Sequence, residues 1–348
     1  MKNNKTVPIF FAVDDNYVPF LLVTLESITT NASKEYEYIL HVLNNGISPA
    51  NVEKLNKYNH DNFKVELVNV AKAMNKVGDT LHTRDYYSKT TYYRLFIPNM
   101  FTQYDKALYL DCDIAVQGDI ADLYNYELGN NYVGAITDEA VAIVPEFIAY
   151  VDKFLGVPTP KYFNAGILVM NLKRLREINF ENKFMNLLSS YTFNVGQDQD
   201  YLNVICKDKV TYIPNIWNKM PFEDKNLKLE DIKLIHYNLS YKPWHYDNIV
   251  YQDAFWKYAK QAGEEATMLA LLADFTEDKK QKDAQGGARL LKMADEQSKQ
   301  KDTFYSLLLN GEINSETYLR RDALDPDQVL SSFVERIGTE MSKKFNKN

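Results

Sequence analysis

Near its N-terminus the chain alternates between two apolar periods. Val7 to Val13 is an apolar run closed by Asp14 and Asp15, with the length and texture of a strand buried on both faces. Pro19 to Thr29 places Leu21, Leu22, Leu25 and Ile28 at helical spacing. Tyr38 to Asn44 reads as a second strand. Ser48 to Tyr58 reads as a helix, with Ser48 as N-cap and Pro49 at the first helical position. Phe63 to Val70 alternates as a third strand. Strands interleaved with helices in this way predict an α/β domain on a mainly parallel sheet.

Residues 80 to 96 are rich in Tyr, Thr and Arg, including Tyr86, Tyr87, Tyr92, Tyr93 and Arg94. Ala107 to Leu110 is a strand that runs into Asp111-Cys112-Asp113. Tyr132 to Ile136, Gly166 to Asn171, Val210 to Ile213 and Ile232 to His236 are further strands, and Leu172 to Tyr191 and Gln199 to Cys206 are helices. From Glu264 strand patterns stop and charge density rises. This divides the chain into a domain over residues 1–263 and an all-helical extension over 264–348. Within the extension, Gln285-Gly286-Gly287 predicts a break and Asn310-Gly311 a helix end; Asp325-Pro326 opens a last helix carrying Val329, Leu330, Phe333, Val334 and Ile337 on one face.

Composition narrows the function. Of 348 residues 45% are hydrophobic and 25% charged, which excludes a disordered or collagen-like chain. The formal net charge of −7 gives no broad basic footprint for nucleic acid. Two cysteines, Cys112 and Cys206, build neither a disulfide framework nor a four-cysteine zinc site, so a reducing cytoplasm is the expected compartment. Val7 to Val13 is too short for a signal core, and no apolar stretch reaches the ~18 residues of a membrane span. Neither GxGxxG, GxxxxGK[ST] nor GxSxG occurs, which disfavours a dinucleotide enzyme, a P-loop enzyme and a serine hydrolase.

Two segments carry chemistry. In Leu108 to Ile114, strand alternation turns Asp111 and Asp113 to one side, roughly 7 Å apart along the chain. Carboxylates this close repel unless a cation or donor lies between them. They sit at the C-terminal end of a buried strand, where open α/β sheets bind ligands. A small oxygen-rich site completed by substrate phosphates suits Mg²⁺ or Mn²⁺; an acidic turn or helix cap would use the same letters. In His236 to Trp244, the imidazole can donate to a metal and Lys242 can neutralise phosphate, with Pro243 and Trp244 stiffening the segment. A hydrogen-bonded structural histidine is the alternative there.

Taken together, these segments resemble the family 8 glycosyltransferases, which have the GT-A fold and use nucleotide sugars. The resemblance runs over residues 7–260. It rests on Asp14-Asp15-Asn16-Tyr17, Tyr93-Arg94-Leu95, Leu110-Asp111-Cys112-Asp113, Phe163-Asn164-Ala165-Gly166, Gln197-Asp198-Gln199-Asp200, and His236 through Trp244, in the family's order. It implies a Rossmann-like mixed sheet flanked by helices. It implies that Asp111, Asp113 and His236 bind one Mn²⁺ (or Mg²⁺) that grips the donor diphosphate, and that Lys242 adds positive charge there. By the same resemblance Asp14, Asp15 and Asn16 form the nucleoside pocket, and Arg94, Asp138, Asn164, Asp198 and Gln199 hold the sugar. The family retains anomeric configuration, and Gln199, Asp198 and Asp200 are the side chains placed near the reacting carbon. A glutamine is a poor nucleophile, which favours a front-face route in which the leaving phosphate oxygen takes the acceptor's proton. Close relatives often have a glycine between the histidine and the lysine; Tyr-Asn-Leu-Ser-Tyr stands here, with Leu239 or Ser240 at that position, and no backbone phosphate contact is carried over.

The expected activity is therefore metal-dependent, retaining transfer of a hexose, galactose or glucose, from a UDP-sugar to a glycan acceptor on a bacterial surface glycoprotein or lipopolysaccharide. A glycogenin-like self-glucosylating protein is one alternative, given 25 tyrosines. A non-catalytic nucleotide or carbohydrate binding module is the other. The helical extension is expected to meet an acceptor protein, a second copy of the chain or the membrane periphery, though its mixed charges argue against a strongly basic anchor.

Overall fold

The computed structural model describes residues 5–71 and 89–313. The stretch containing Tyr86 and Tyr87 and the helix expected from Asp325 lie outside the described residues.

The strands are β1 (Lys5–Val13), β2 (Tyr36–Asn44), β3 (Phe63–Asn69), β4 (Ala107–Leu110), β5 (Ile114–Val116), β6 (Val133–Thr137), β7 (Phe163–Met170), β8 (Val210–Tyr212) and β9 (Leu234–His236). Seven form one sheet in the order β3-β2-β1-β4-β7-β6-β8. The pairs β1–β2, β2–β3, β1–β4 and β6–β8 are parallel, whereas β7 runs antiparallel to both β4 and β6. The sheet is thus the mixed one expected, with a parallel N-terminal half. The remaining strands, β5 and β9, pair antiparallel with Ile114 opposite His236.

Both faces of the sheet are covered at its centre, so β1, β4 and β7 are apolar on both sides. Ile9, Phe11, Leu40 and Leu108 pack with Leu21, Leu25 and Ile28 of α1 (Val18–Asn31) and Leu55 of α2 (Pro49–Asn56). Phe10, Tyr109 and Leu168 point the other way. They share a core with Leu172 and Leu175 of α3 (Leu172–Glu177), Phe184 and Leu187 of α4 (Phe180–Ser190) and Tyr201 and Leu202 of α5 (Asp198–Ile205).

Two helical expectations are corrected. The single helix read over Leu172 to Tyr191 is two, α3 and α4, because Asn179 takes a left-handed φ of 51° that no helix can continue. The break read at Gln285-Gly286-Gly287 does not exist. After α6 (Gln252–Gln261) and α7 (Glu265–Asp274), one helix, α8, runs unbroken from Glu277 to Ser298. Two glycines cost a helix about 1 kcal/mol each. Burial of Asp283, Gly286, Ala294 and Ser298, with Leu290 packed partly buried on the same stripe, outweighs that cost. Among the described residues, no helix is long and apolar enough to cross a membrane.

Candidate active site

The C-terminal ends of β1 and β4 open into a cavity of about 400 Å³. Its wall includes the Asp111-Cys112-Asp113 bend between β4 and β5. Sequence reasoning put both acids in a strand; the ladder stops at Leu110, and the bend is held instead by α1, where Thr24 Oγ1 donates to the carbonyls of Cys112 (2.8 Å) and Ile114 (3.1 Å). The β5–β9 pairing then delivers His236, with the Tyr237 N–H bonded to the Asp113 carbonyl.

The three side chains converge, with one ligand atom of each within 4.8 Å of the others. His236 Nε2 lies 3.2 Å from Asp113 Oδ1 and 3.9 Å from Asp111 Oδ2. The other ring nitrogen, Nδ1, sits 2.8 Å from Asn218 Oδ1, to which it donates, an arrangement that leaves the lone pair of a neutral ring on Nε2. Both His236 Nε2 and Asp113 Oδ1 are buried without a hydrogen-bond partner. Two facing acceptors in that state fit a cation between them. Gly166 keeps the space open: a Cβ there would stand 2.5 Å from His236 Cε1 and 2.6 Å from Asp111 Oδ2. The donor set, two carboxylates and an imidazole, suits Mn²⁺ or Mg²⁺ with phosphate oxygens completing the shell.

Cations flank the acids on two sides. Lys242 pairs with Asp113 and lies over the Trp244 ring. Burial opposes ionisation of Asp113, but the Lys242 ammonium paired with it pulls the other way, and the carboxyl is held well below the usual carboxylate range. Arg94 donates to Asp111 (3.1 Å) and to the Thr91 and Ala165 carbonyls, lies in ion-pair contact with Asp198 (Nε to Oδ2 3.1 Å), and stacks on Tyr109, whose hydroxyl also donates to Asp111 (3.0 Å). Burial pushes the Asp198 carboxyl up to about 6, with Arg94 pulling the other way.

A second network extends from Gln199. Its Oε1 accepts from the Ala165 N–H (2.9 Å) and its Nε2 donates to Asp138 Oδ2 (3.0 Å), which also accepts from Asn164 Nδ2 (3.1 Å). Asn164 lies inside buried β7, not in a turn, and its Oδ1 accepts from Asn218, the residue that orients His236. Gln197, at φ 50° and ψ −124°, makes the sharp turn that aims Asp198 and Gln199 at the cavity. Gly196 permits the approach of Asp200 to that turn, since a Cβ would stand 2.4 Å from Asp200 Oδ1.

Other candidates lie elsewhere. Asp200 is outside the cavity wall: its carboxylate accepts from Tyr150 (2.8 Å), Tyr162 (2.6 Å) and the Gly196 N–H (2.7 Å). Asp14 lines the cavity beside Tyr17 and caps the turn after β1. Asp15 faces α2 instead, accepting from the Ser48 N–H and Asn51 Nδ2, both at 2.8 Å, bonds that lower its pKa. Asn16 is exposed and outside the cavity wall. Sequence reasoning missed Asn218, which stands alone in a loop with no motif around it. It also missed Asp283 and Leu290, which reach the cavity from α8.

Known proteins with the same pattern put a name to this arrangement. Residues 8–248 match the sequence pattern of Glycosyl transferase family 8. A Haemophilus influenzae protein assigned by name to the glycosyltransferases is 32% identical over 252 residues, covering 70% of this chain and 74% of its own. The lipopolysaccharide 1,2-glucosyltransferase of Escherichia coli K12 is 27% identical over 264 residues, covering 70% and 75%. The solved galactosyltransferase LgtC superposes with a TM-score of 0.61 at 29% identity, over 74% of this chain and 95% of that one. The bifunctional WbbM reaches 0.67 at 28% identity over 77% of this chain, which spans about half (52%) of WbbM. The matched pattern runs from β1 through the Lys242 segment, and the chain belongs to glycosyl transferase family 8, as a glycosyltransferase of GT-A fold.

Proposed function

We propose that this protein transfers a hexose, galactose or glucose, from a UDP-sugar to a glycan acceptor with retention of anomeric configuration, using Mn²⁺ or Mg²⁺ held by Asp111, Asp113 and His236. The observation that carries the proposal is the unpartnered His236 Nε2 facing the unpartnered Asp113 Oδ1, with Arg94 at one acid and Lys242 at the other. A divalent ion there would neutralise charge on the diphosphate as the glycosidic bond breaks. Lys242 adds charge at the same leaving group, and its stacking on Trp244 limits where the ammonium can go. Asp138, Asn164 and Gln199 offer acceptors and donors of fixed geometry to sugar hydroxyls. Asp14 and Tyr17 are the groups nearest a nucleoside role, as neither Asp15 nor Asn16 lines the cavity.

The engagement of the nearby carboxylates supports front-face departure. Asp200 is bonded to two tyrosines and a backbone N–H, Asp198 pairs with Arg94, and Gln199 is a poor nucleophile. In this route the acceptor oxygen bonds to the anomeric carbon as the bond to phosphate breaks, and the departing phosphate oxygen takes the hydroxyl proton. Residues 1–263 form the catalytic domain in this reading and 264–348 its helical extension. The names of the Escherichia coli relative and of LgtC, the latter solved with donor and acceptor sugar analogues, support a hexose donor and a glycan acceptor, which we take to be a bacterial surface glycan.

UDP release from a panel of UDP-sugars, with Mn²⁺ and with excess chelator, tests the proposal. Release from UDP-galactose or UDP-glucose that stops on chelation is expected. No release from any donor overturns the donor assignment, and equal turnover in chelator overturns the metal assignment.

A further inference from the structure

We propose that Asp283, on the C-terminal helix α8, is a positioning residue for Lys242, so that α8 works as part of the active site. The inference rests on the nucleotide-sugar reading above. Asp283 is only 4% exposed, and its two carboxylate oxygens are divided between two partners. Ser240 Oγ donates to Oδ1 (3.1 Å) and the Tyr246 hydroxyl to Oδ2 (2.5 Å). Ser240 and Tyr246 flank Lys242-Pro243-Trp244, so one carboxylate brackets the segment that carries the ammonium. Hydroxyl-to-carboxylate bonds of this kind are among the stronger and more directional in proteins.

The same helical region makes a second contact. Phe275, in the turn between α7 and α8, stacks on His245 with ring centres 4.0 Å apart and planes 6° from parallel, and meets Tyr246 edge-on at 5.3 Å. From the inside, Trp244 packs on Phe20 and Phe255 at 4.4 and 4.9 Å. The segment is thus gripped between the domain core and α8.

The backbone explains the need for two grips. Leu239 holds φ at 52°, a left-handed conformation that disfavours a leucine and survives only where surrounding contacts impose it. Between His236 and Lys242 the chain has no glycine to take that conformation. With glycine absent, outside contacts hold the turn, and Asp283 bonds the very next residue, Ser240. Lysine is a point charge on a flexible stem, so the placement of its ammonium depends on the backbone beneath it.

Calorimetric titration of the full chain with UDP and with uridine, both in Mn²⁺, separates this role from a merely structural tether. Asp283→Ala is expected to weaken UDP roughly tenfold and Tyr246→Phe roughly threefold, with uridine affinity unchanged, because only UDP carries the diphosphate. In a Lys242→Ala background, Asp283→Ala should add nothing further. Tyr246→Phe retains the ring packing, so it reads the bond even if Asp283→Ala fails to fold. Unchanged UDP affinity in the folded single variants overturns the proposal. So do equal losses for UDP and uridine, or an undiminished Asp283→Ala effect without Lys242. A wild-type chain that does not bind UDP removes the nucleotide-sugar reading itself and this inference with it, a result distinct from wild-type binding with indifferent variants.

Discussion

His236 reaches Asp113 through a strand pairing: Ile114 lies opposite His236 in the β5–β9 register, and the imidazole Nε2 comes to rest 3.2 Å from the carboxylate. With Nδ1 donating to Asn218, the lone pair of Nε2 faces an acceptor oxygen, an arrangement that a cation relieves.

Loss of that imidazole should therefore cost metal binding first. His236→Ala is expected to lower donor turnover at least about a hundredfold, and Asn218→Ala, which frees the ring, to weaken Mn²⁺ about 10–100-fold. Turnover measured across a Mn²⁺ titration reads both. Partial recovery of Asn218→Ala at high Mn²⁺, without full recovery of His236→Ala, separates an orienting residue from a ligand.

Gly166 has no room for a methyl group, since the atoms a Cβ would meet are His236 Cε1 and Asp111 Oδ2 themselves. The backbone cannot retreat, because Gly166 lies in β7, a strand buried along its length. Gly166→Ala should cost about 1–3 kcal/mol of stability and weaken Mn²⁺ by at least about tenfold. Thermal melting and metal titration of the purified variant check the two effects, and wild-type Mn²⁺ affinity would show that the ion sits elsewhere.

Gln199 bonds the Ala165 N–H and Asp138 at once, so its amide is fixed before substrate arrives. Gln199→Ala is expected to lower kcat roughly 10–100-fold while UDP affinity stays within about threefold. A parallel loss of UDP binding would make the residue architectural. A sugar adduct trapped on Asp198 or Asp200 would replace front-face departure with a covalent route.

Glu181 supplies a pH dependence remote from the metal. Burial raises its carboxyl from 4.5 to about 7, against the lowering effect of its bond from Asn99. Between those values the folded chain holds a proton that the unfolded chain has lost, so stability falls as pH rises, and the cost is complete above about pH 7. Glutamine keeps an oxygen for Asn99 and cannot ionise. Glu181→Gln should match the wild type near pH 4 and be more stable near pH 8.5, by up to about 3 kcal/mol in denaturant unfolding. A difference that does not change with pH would mean that Glu181 stays ionised when folded.

The N-terminal half of the fold was legible because β1 and β2 are apolar runs, as a doubly covered parallel sheet demands, and β3 alternates as a half-covered strand does. Asp111, Asp113 and His236 were legible as a candidate cluster, whereas the ladder that joins them was not: β5 and β9 are three residues each, too short to show a period. The buried stripe of α8 escaped notice for a different reason. Asp283, Gly286 and Ser298 are polar or small, so the helix's inward face does not read as apolar. Asn218 could be found only in three dimensions, as its role is a single bond to a ring nitrogen.

The β5–β9 ladder also sets when the three side chains of the cluster can meet. On a translating ribosome the two acids emerge long before the imidazole, and a nascent chain ending short of Leu234 has the carboxylates without their third partner. The candidate metal cluster is thereby completed only once β9, the last strand among the described residues, has docked.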